Sequence, residues 1–235
     1  MSGSGIRIVV PIKPLAAGKS RLSPVLDRDR RVLLSLAMFI HVLRVARETA
    51  ATSQVAVLGG DPTVARVAQR LNVLWEPEPA RGLNRCLKRA FQAGVRLGWD
   101  ATLFVPADLP ELASDDLACV LEMAHSAERL VVAPDRFDEG TNALLVPSLT
   151  PFPPRLGPHS FTRHLTQARR LGIPTQVCRR EGLRLDIDTP ADLALLLARR
   201  PAWWQEAEEV CDVVLQTPLS TLVSDLETAS RRARG

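Results

Sequence analysis

The chain has 235 residues, 46% apolar side chains and a net charge of +4, which is enough apolar material for one sizeable α/β core. Its arginines are spread along predicted helices and it contains no tyrosine, so the basic balance favours acidic small molecules over nucleic acid. The first apolar run is too short for a signal segment or a membrane span, and the four cysteines lack C-x-x-C spacing. We therefore expect a cytoplasmic protein with buried reduced thiols and no membrane partner.

Strand-like and helix-like segments alternate along the first half of the chain. Asp61 and Pro62 are typical of a helix cap followed by the first helical residue, and a further helix starts just after Gly82 and Leu83. The predicted elements are strands at 6–12, 54–59, 73–75 and 101–105 and helices at about 29–48, 62–71 and from 83 onward.

The alternation continues through the second half. Ser114, with Asp115 and Asp116, is predicted to cap a helix, and Thr189 to Asp192 forms a capping box that starts a further helix. Between them the pattern predicts strands near 130–133, 142–146, 174–178 and 184–188 and a helix at about 160–171. This order is typical of a mostly parallel α/β sheet with helices on both faces, here one domain over residues 1–200. Residues 201–235 are predicted to be a C-terminal helical extension.

The loop after the first strand carries three cations, Lys13, Lys19 and Arg21. The chain has 27 arginines and only three lysines, and two of those lysines lie six residues apart in this loop. Because lysine is a compact point charge, its use here favours a site that holds phosphates. An ordinary basic turn after a strand is the alternative.

Carboxylates follow two other predicted strands. Asp108 comes just after the strand at 101–105, while Asp186 and Asp188 alternate in RLDID and so share one face of the predicted strand. Ligands of open α/β sheets bind outside the carboxyl ends of the strands, and separate carboxylates there suit Mg²⁺. The alternatives are a helix-entry turn for Asp108 and a helix cap for Asp188.

A second group of small and hydroxyl residues lies in EGTNALLV and RLGPHSFTRHL. Thr141, Gly157 and Ser160 offer hydroxyls and backbone amides without bulk, which suits the close approach of an anion. Ser160 also starts a predicted helix whose first amides are expected to point at that anion. His159 and His164 have no accompanying Cys or Glu pattern, so we do not expect zinc.

Several motifs in order resemble the guanylyltransferases of coenzyme F420 biosynthesis, which activate 2-phospho-L-lactate or phosphoenolpyruvate with GTP. The resemblance runs from Ile8 to Leu197. The motifs are VPIKPLAAGKSRLSP, GLN, ADLP, GTNALL, LGPHSFTRH and LDIDTPADL. The resemblance implies a Rossmann-like nucleotidyltransferase fold of the GT-A type. Ala107 and Leu156 depart from the glycine and phenylalanine of many relatives.

The resemblance also implies roles for individual residues. Lys13, Lys19 and Arg21 would face the GTP phosphates and, with Asp108, carry catalysis, while Gly82 and Asn84 would lie near the nucleotide. Asp108, Asp186 and Asp188 would hold Mg²⁺. Thr141, Gly157 and Ser160 would hold the phosphorylated three-carbon acid.

The function expected from this resemblance is transfer of GMP from GTP to a phosphorylated three-carbon acid, with release of pyrophosphate. The acid is left open between 2-phospho-L-lactate, phosphoenolpyruvate and 3-phosphoglycerate, and a homodimer is also left open. Two other functions remain as alternatives. One is a cytidylyl- or molybdopterin guanylyltransferase of the same fold, and the other is a non-catalytic nucleotide-binding interaction protein.

Overall fold

Seven strands form one sheet in the computed structural model, which describes residues 5–49, 54–124, 127–199 and 203. The strands are β1 (Ile6–Ile12), β2 (Gln54–Gly59), β3 (Leu74–Glu76), β4 (Ala101–Phe104), β5 (Leu130–Pro134), β6 (Thr141–Pro147) and β7 (Thr175–Val177). Their order across the sheet is β3-β2-β1-β4-β6-β5-β7. The predicted mostly parallel sheet is therefore confirmed, with element bounds that differ from the prediction by one or two residues.

The direction in which β6 runs determines which loops and strand ends lie together at one edge of the sheet. β1 pairs in parallel with β2 and β4, whereas β6 runs antiparallel to β4 and β5. Phe104, at the end of β4, pairs with Leu144, so the first residues of β6 extend beyond the carboxyl end of β4. The start of β6 thus lies at the same edge as the loops that follow β1 and β4.

Helices cover both faces of the sheet, as the sequence predicts. They are α1 (Arg28–Thr49), α2 (Pro62–Arg70), α3 (Leu83–Arg96), α4 (Ser114–Met123), α5 (Ser160–Arg170) and α6 (Pro190–Arg199). Ile8 and Val10 of β1 point into an apolar cluster with α1, α2, α4 and α6. Val9 points the other way, into a cluster with α3 and α5, as the alternation of a strand requires.

Helix α1 is apolar on nearly all sides because it is surrounded. It packs against β2, α2 and α4, and its residues from Leu33 to Ala46 are almost all buried. Within the described ranges, a helix with the length and apolar character needed to cross a bilayer does not occur.

The predicted strand at 184–188 is wrong. The segment follows a short 3-10 turn, Glu181–Leu183, and among the described strands none pairs with it. Leu185 and Ile187 are nevertheless buried while Asp186 and Asp188 are half-buried, so the apolar-polar alternation is real. The alternation reflects packing of Leu185 and Ile187 into the α1 side of the core and not pairing with a strand of the described sheet.

The cap of α4 also differs from the prediction. The helix begins at Ser114, but Ala113 occupies the cap position, and the backbone N–H of Ala113 donates to the Asp116 carboxylate at 2.9 Å. Asp116 therefore stabilises the helix start as predicted, while Ser114 does not act as the cap.

Three of the four cysteines lie in the described ranges. Cys86 and Cys178 are buried, Cys119 is half-buried, and all three are unpaired thiols, in agreement with the prediction. Cys211 falls outside the described residues. So does the predicted 201–235 extension, except for Trp203, which is buried and donates its indole N–H to the carbonyl of Pro110.

Close packing of α3 against β4 generates a stability prediction. A Cβ on Gly94 would lie 2.3 Å from Thr102 Oγ1 and 3.6 Å from Thr102 Cβ. We expect Gly94→Ala to lower the free energy of unfolding by about 1–3 kcal/mol, because the buried hydroxyl cannot move aside. Chemical denaturation measures the change.

The matched control is the double variant Gly94→Ala with Thr102→Ala, in which only ordinary van der Waals contact remains. It should recover most of the stability lost by Gly94→Ala, measured relative to Thr102→Ala alone. Additive effects of the two substitutions would contradict this packing.

Candidate active site

The loop after β1 is held in a defined shape by its own turns and by one carboxylate. It forms two 3-10 turns, Leu15–Ala17 and Ser20–Leu22, with Lys19 between them in the left-handed region at φ 51°. Asp61 accepts the backbone N–H of Leu15 at 2.8 Å through one oxygen. Its other oxygen caps α2, as predicted, so a single side chain joins the ends of β1 and β2.

Lys19 is the centre of the site. Its ammonium contacts the Asp108 carboxylate and lies 3.1 Å from Asp188 Oδ1, although its side chain is only 8% exposed. Burial lowers the pKa of Lys19, but the neighbouring Asp108 and Asp188 outweigh that effect and the net pKa is raised. Lys19 is therefore charged at neutral pH. Arg21 lies at the exposed side of the same group, 3.7 Å from Asp188.

Asp186 belongs to the same electrostatic cluster. Burial raises its pKa to about 6, and the negative charges of Asp108 and Asp188 act in the same direction. The Asn142 amide donates to Asp186 Oδ1 at 3.3 Å and partly opposes the rise. The three predicted carboxylates thus converge, although they come from two distant parts of the chain.

Asp188 is held from behind by the start of α6. Asp192 Oδ2 accepts the backbone N–H groups of Asp188 at 3.0 Å and of Thr189 at 2.7 Å. The Asp192 N–H in turn donates to the Thr189 hydroxyl at 3.3 Å, which confirms the predicted capping box. Asp192 therefore orients the backbone of Asp188 as well as capping α6.

The donor set at this site fits a hard divalent cation. Carboxylate oxygens and an amide oxygen are the ligands that Mg²⁺ takes in proteins. In the described part of the chain, however, no three His, Cys, Asp or Glu side chains are arranged as a ready cation cage. Lys19 now supplies the positive charge between Asp108 and Asp188.

The predicted acceptor residues lie next to this cluster. Thr141 is the neighbour of Asn142 at the start of β6, and its hydroxyl lies 3.1 Å from that of Ser160, the first residue of α5. Both residues are buried. Gly157 has φ 113°, a conformation that glycine adopts without strain, at the turn that leads into α5.

Helix α5 does not present its first amides as freely as the sequence suggests. The Ser160 N–H donates to the Gly157 carbonyl and the Phe161 N–H donates to the Glu139 carbonyl, each at 3.0 Å. These bonds anchor the helix start to two loops. The side-chain hydroxyls remain as the polar groups of this subsite.

Asn84 links α3 to the loop that precedes α5, here called the acceptor loop because its residues are predicted to bind the acceptor. Its amide oxygen accepts the Leu156 N–H at 2.7 Å and its amide nitrogen donates to the Leu156 carbonyl at 3.0 Å. Gly82 precedes α3 with φ 93° and donates its N–H to Glu78. A role of Gly82 and Asn84 near the nucleotide stays a prediction, but Asn84 already has a structural partner.

The structure joins most of the predicted residues through direct contacts. Lys13 is exposed, and within the described ranges it makes no hydrogen bond or ion pair. Sequence reasoning missed Asn142, which bonds Asp186, and His164, which bonds Thr141 at 3.0 Å. Both residues lie inside the motifs quoted above. A polar residue in a strand or a lone histidine, however, does not indicate from the sequence which side chain it contacts.

The double hydrogen bond of Asn84 generates a prediction about the acceptor loop. We expect Asn84→Ala to speed hydrogen exchange at the Leu156 amide about fivefold, because roughly 1 kcal/mol of local hydrogen bonding is lost. Exchange is measured by nuclear magnetic resonance. The control is Arg85→Ala on the exposed side of the same helix, and equal exchange in both variants would contradict the link.

Solved structures with the same fold are nucleotide-dependent transferases. A Desulfovibrio desulfuricans protein described as a candidate nucleotide-diphospho-sugar transferase superposes with a TM-score of 0.73 at 16% identity, over 99% of this chain and 98% of that one. A 4-diphosphocytidyl-2C-methyl-D-erythritol synthase gives a TM-score of 0.56 at 13% identity, over 82% and 97% of the two chains. At these identities the likeness concerns the fold.

Relatives found by sequence have a higher identity to this chain than the solved structures above. Proteins named phosphoenolpyruvate guanylyltransferase are 38% identical in Sphaerobacter thermophilus, over 82% of this chain and 93% of the relative, and 39% identical in Rubrobacter xylanophilus, over 81% and 92%. A third, from Thermobaculum terrenum, is 31% identical over 95% and 96% of the two chains. The family described as "Guanylyl transferase CofC like" matches residues 6–200. The chain therefore belongs to the CofC-like guanylyltransferase family and is a nucleotidyltransferase, as its motifs predict.

Proposed function

We propose that this enzyme transfers GMP from GTP to phosphoenolpyruvate and releases pyrophosphate, as a step of coenzyme F420 biosynthesis. The observation that carries the proposal is the pair of side-chain groups at the carboxyl edge of the sheet. Lys19 contacts Asp108 and Asp188, and Asn142 bonds Asp186 from the strand that begins with Thr141. In this proposal the cationic loop binds the triphosphate and the buried hydroxyl pair binds the acidic acceptor.

The choice of phosphoenolpyruvate rests on the names of the relatives. Thr141, Gly157 and Ser160 form a small subsite that suits a short acid, in agreement with those names. The acceptors left open are 2-phospho-L-lactate and 3-phosphoglycerate.

The reaction needs little proton transfer. An ionised phosphate oxygen of the acceptor attacks the α-phosphorus of GTP, a phosphoanhydride bond forms, and the bond from the α-phosphorus to the pyrophosphate oxygen breaks. Because the attacking oxygen is already an anion at neutral pH, no general base is required. The protein's task is to align two anions and to stabilise the charge on the departing pyrophosphate.

Lys19, Lys13 and Arg21 are the groups that stabilise the leaving pyrophosphate. Lys19 would release one of its present carboxylate partners to reach a phosphate, and the opposing Asp108 and Asp188 would then be available to a cation. Mg²⁺ at these carboxylates would supply positive charge against the α-phosphate and the acceptor phosphate. The binding of Mg²⁺ here is part of the proposal.

Pyrophosphate release tests the function directly. Purified protein with GTP and Mg²⁺ should release pyrophosphate when phosphoenolpyruvate is added, and should not do so when the acid is left out. Pyrophosphate release only with 2-phospho-L-lactate or only with 3-phosphoglycerate would show that this acid, and not phosphoenolpyruvate, is the acceptor. Release with CTP in preference to GTP would indicate a cytidylyltransferase instead, and no release with any nucleotide would favour a binding protein.

Substitution of the central carboxylate tests the site. Asp108→Asn should fold normally and lower the turnover number by roughly 10²–10³, the usual loss when one charge that stabilises the transition state is removed. The control is Asp115→Asn, an exposed carboxylate at the start of α4, which should keep full turnover. Wild-type turnover in Asp108→Asn would show that this carboxylate has no part in the reaction.

A further inference from the structure

Three side chains meet where the acceptor is expected to bind. Thr141 starts β6, Ser160 starts α5, and His164 lies one helical turn beyond Ser160. His164 Nδ1 is 3.0 Å from Thr141 Oγ1, and Ser160 Oγ is 3.1 Å from the same oxygen. The three residues are 7%, 1% and 0% exposed, in the order Thr141, Ser160, His164. Their hydrogen bonds are therefore shielded from competing water.

The second nitrogen of His164 defines the tautomer. The backbone N–H of Arg155 donates to His164 Nε2 at 2.9 Å. A backbone amide can only donate, so Nε2 must carry a lone pair, and a neutral imidazole then has its proton on Nδ1. Nδ1–H consequently donates to the Thr141 hydroxyl oxygen.

The surroundings of His164 keep the ring neutral. Burial lowers the pKa of His164 to about 4, and the positive charges of Arg163 and Arg155 act in the same direction. Phe152 packs against the ring, with centroids 5.9 Å apart. At neutral pH the ring therefore has one proton, and that proton is directed at Thr141.

The proton on Nδ1 determines how the hydroxyls of the Thr141–Ser160 pair can bond. Thr141 and Ser160 have one proton each, and the bond between the two oxygens uses one of them. Because Thr141 accepts a proton from His164, neither hydroxyl has to donate to the ring. Among the residues that the structure describes, no other group bonds either hydroxyl. One buried O–H group is left without an acceptor.

In the opposite tautomer, with the His164 proton on Nε2, neither hydroxyl proton would remain free for a ligand. Thr141 would then donate to Nδ1 and Ser160 would donate to Thr141, so both hydroxyl protons would be used within the protein. An anionic carboxylate or phosphate oxygen could then only compete with those bonds. The Arg155 amide thus decides, through the ring, whether this subsite can donate to an anion.

We propose that His164 is a positioning residue for the acceptor, which keeps one hydroxyl of the Thr141–Ser160 pair as a donor to an anionic oxygen of the phosphorylated acid. The inference rests on the proposed function, because it assumes that the acceptor binds at this pair. The first two amides of α5 do not replace this donor, since those of Ser160 and Phe161 already donate to carbonyl groups of the protein. His164 does not touch the reacting atoms in this assignment.

The tautomer is tested first, without substrate. Nitrogen-15 spectra of histidine-labelled protein at pH 7 should show His164 as a neutral ring with its proton on Nδ1, identified by loss of its signals in His164→Asn. A ring with its proton on Nε2, or a doubly protonated ring, would overturn the proposal.

Kinetics then test the consequence. His164→Leu removes the ring N–H that donates to Thr141, so the hydroxyl pair is no longer held with one proton directed at the acid. The KM for the acid should rise about 5- to 10-fold, the effect of losing one neutral hydrogen bond that orients the donor, while the KM for GTP changes less than twofold. His164→Asn restores an N–H near the position of Nδ1 and should recover most of the loss. Arg169→Leu, on the exposed side of α5, is the control for both constants.

A purely structural role for His164 predicts a different pattern. Both KM values would then rise together, or His164→Asn would be no better than His164→Leu, and either result would overturn the proposal. If His164→Leu does not fold, the comparison of His164→Asn with the wild type and the tautomer measurement still decide.

A binding measurement distinguishes failure of the His164 inference from failure of the proposed function. If the wild type releases no pyrophosphate with any acid, the binding of phosphoenolpyruvate is measured by calorimetry instead. Binding by the wild type that weakens about 5- to 10-fold in His164→Leu and recovers in His164→Asn would support the role of His164 without the reaction. Equal binding by the three proteins, or no binding by the wild type, would overturn it.

Discussion

A buried ammonium between two carboxylates is the interaction on which the arrangement of this site depends. Lys19 lies in the loop after β1, Asp108 in the loop after β4, and Asp188 just before α6. Removing a charge from water is costly unless it is paired, so Lys19 can be buried only while those segments stay together. The same requirement holds the two carboxylates close together on one ammonium.

Neighbouring residues of β6 connect this cluster to the Thr141–Ser160 pair, the proposed acceptor subsite. Asn142 bonds Asp186 on one side of the strand, and Thr141 bonds Ser160 and His164 on the other. Because residues next to each other in a strand point to opposite faces, one short segment serves both subsites. The antiparallel pairing of β6 with β4 is what places that segment at the carboxyl edge of the parallel strands.

Much of the fold and part of the site could be predicted from local patterns. Turn chemistry and apolar periodicity act over a few residues. They predict the cap by Asp61, the capping box at Thr189 and the succession of strands and helices along the chain. RLDID has the pattern of a strand because its apolar residues are buried alternately, but a strand also needs a pairing partner, which the pattern does not report. The convergence of the carboxylates was implied by the family motifs and by the place of Asp108 after β4, whereas the strand predicted for Asp186 and Asp188 does not form.

The sequence by itself determined the α/β class, the family and the identity of the charged and hydroxyl residues at the carboxyl edge, because these depend on short-range periodicity and on ordered motifs. Only the tertiary structure decided that Lys19 is buried between Asp108 and Asp188, and that His164 donates to Thr141. Both depend on segments far apart in the chain. The direction of the His164 bond depends further on one backbone amide, that of Arg155, whose position no residue pattern encodes.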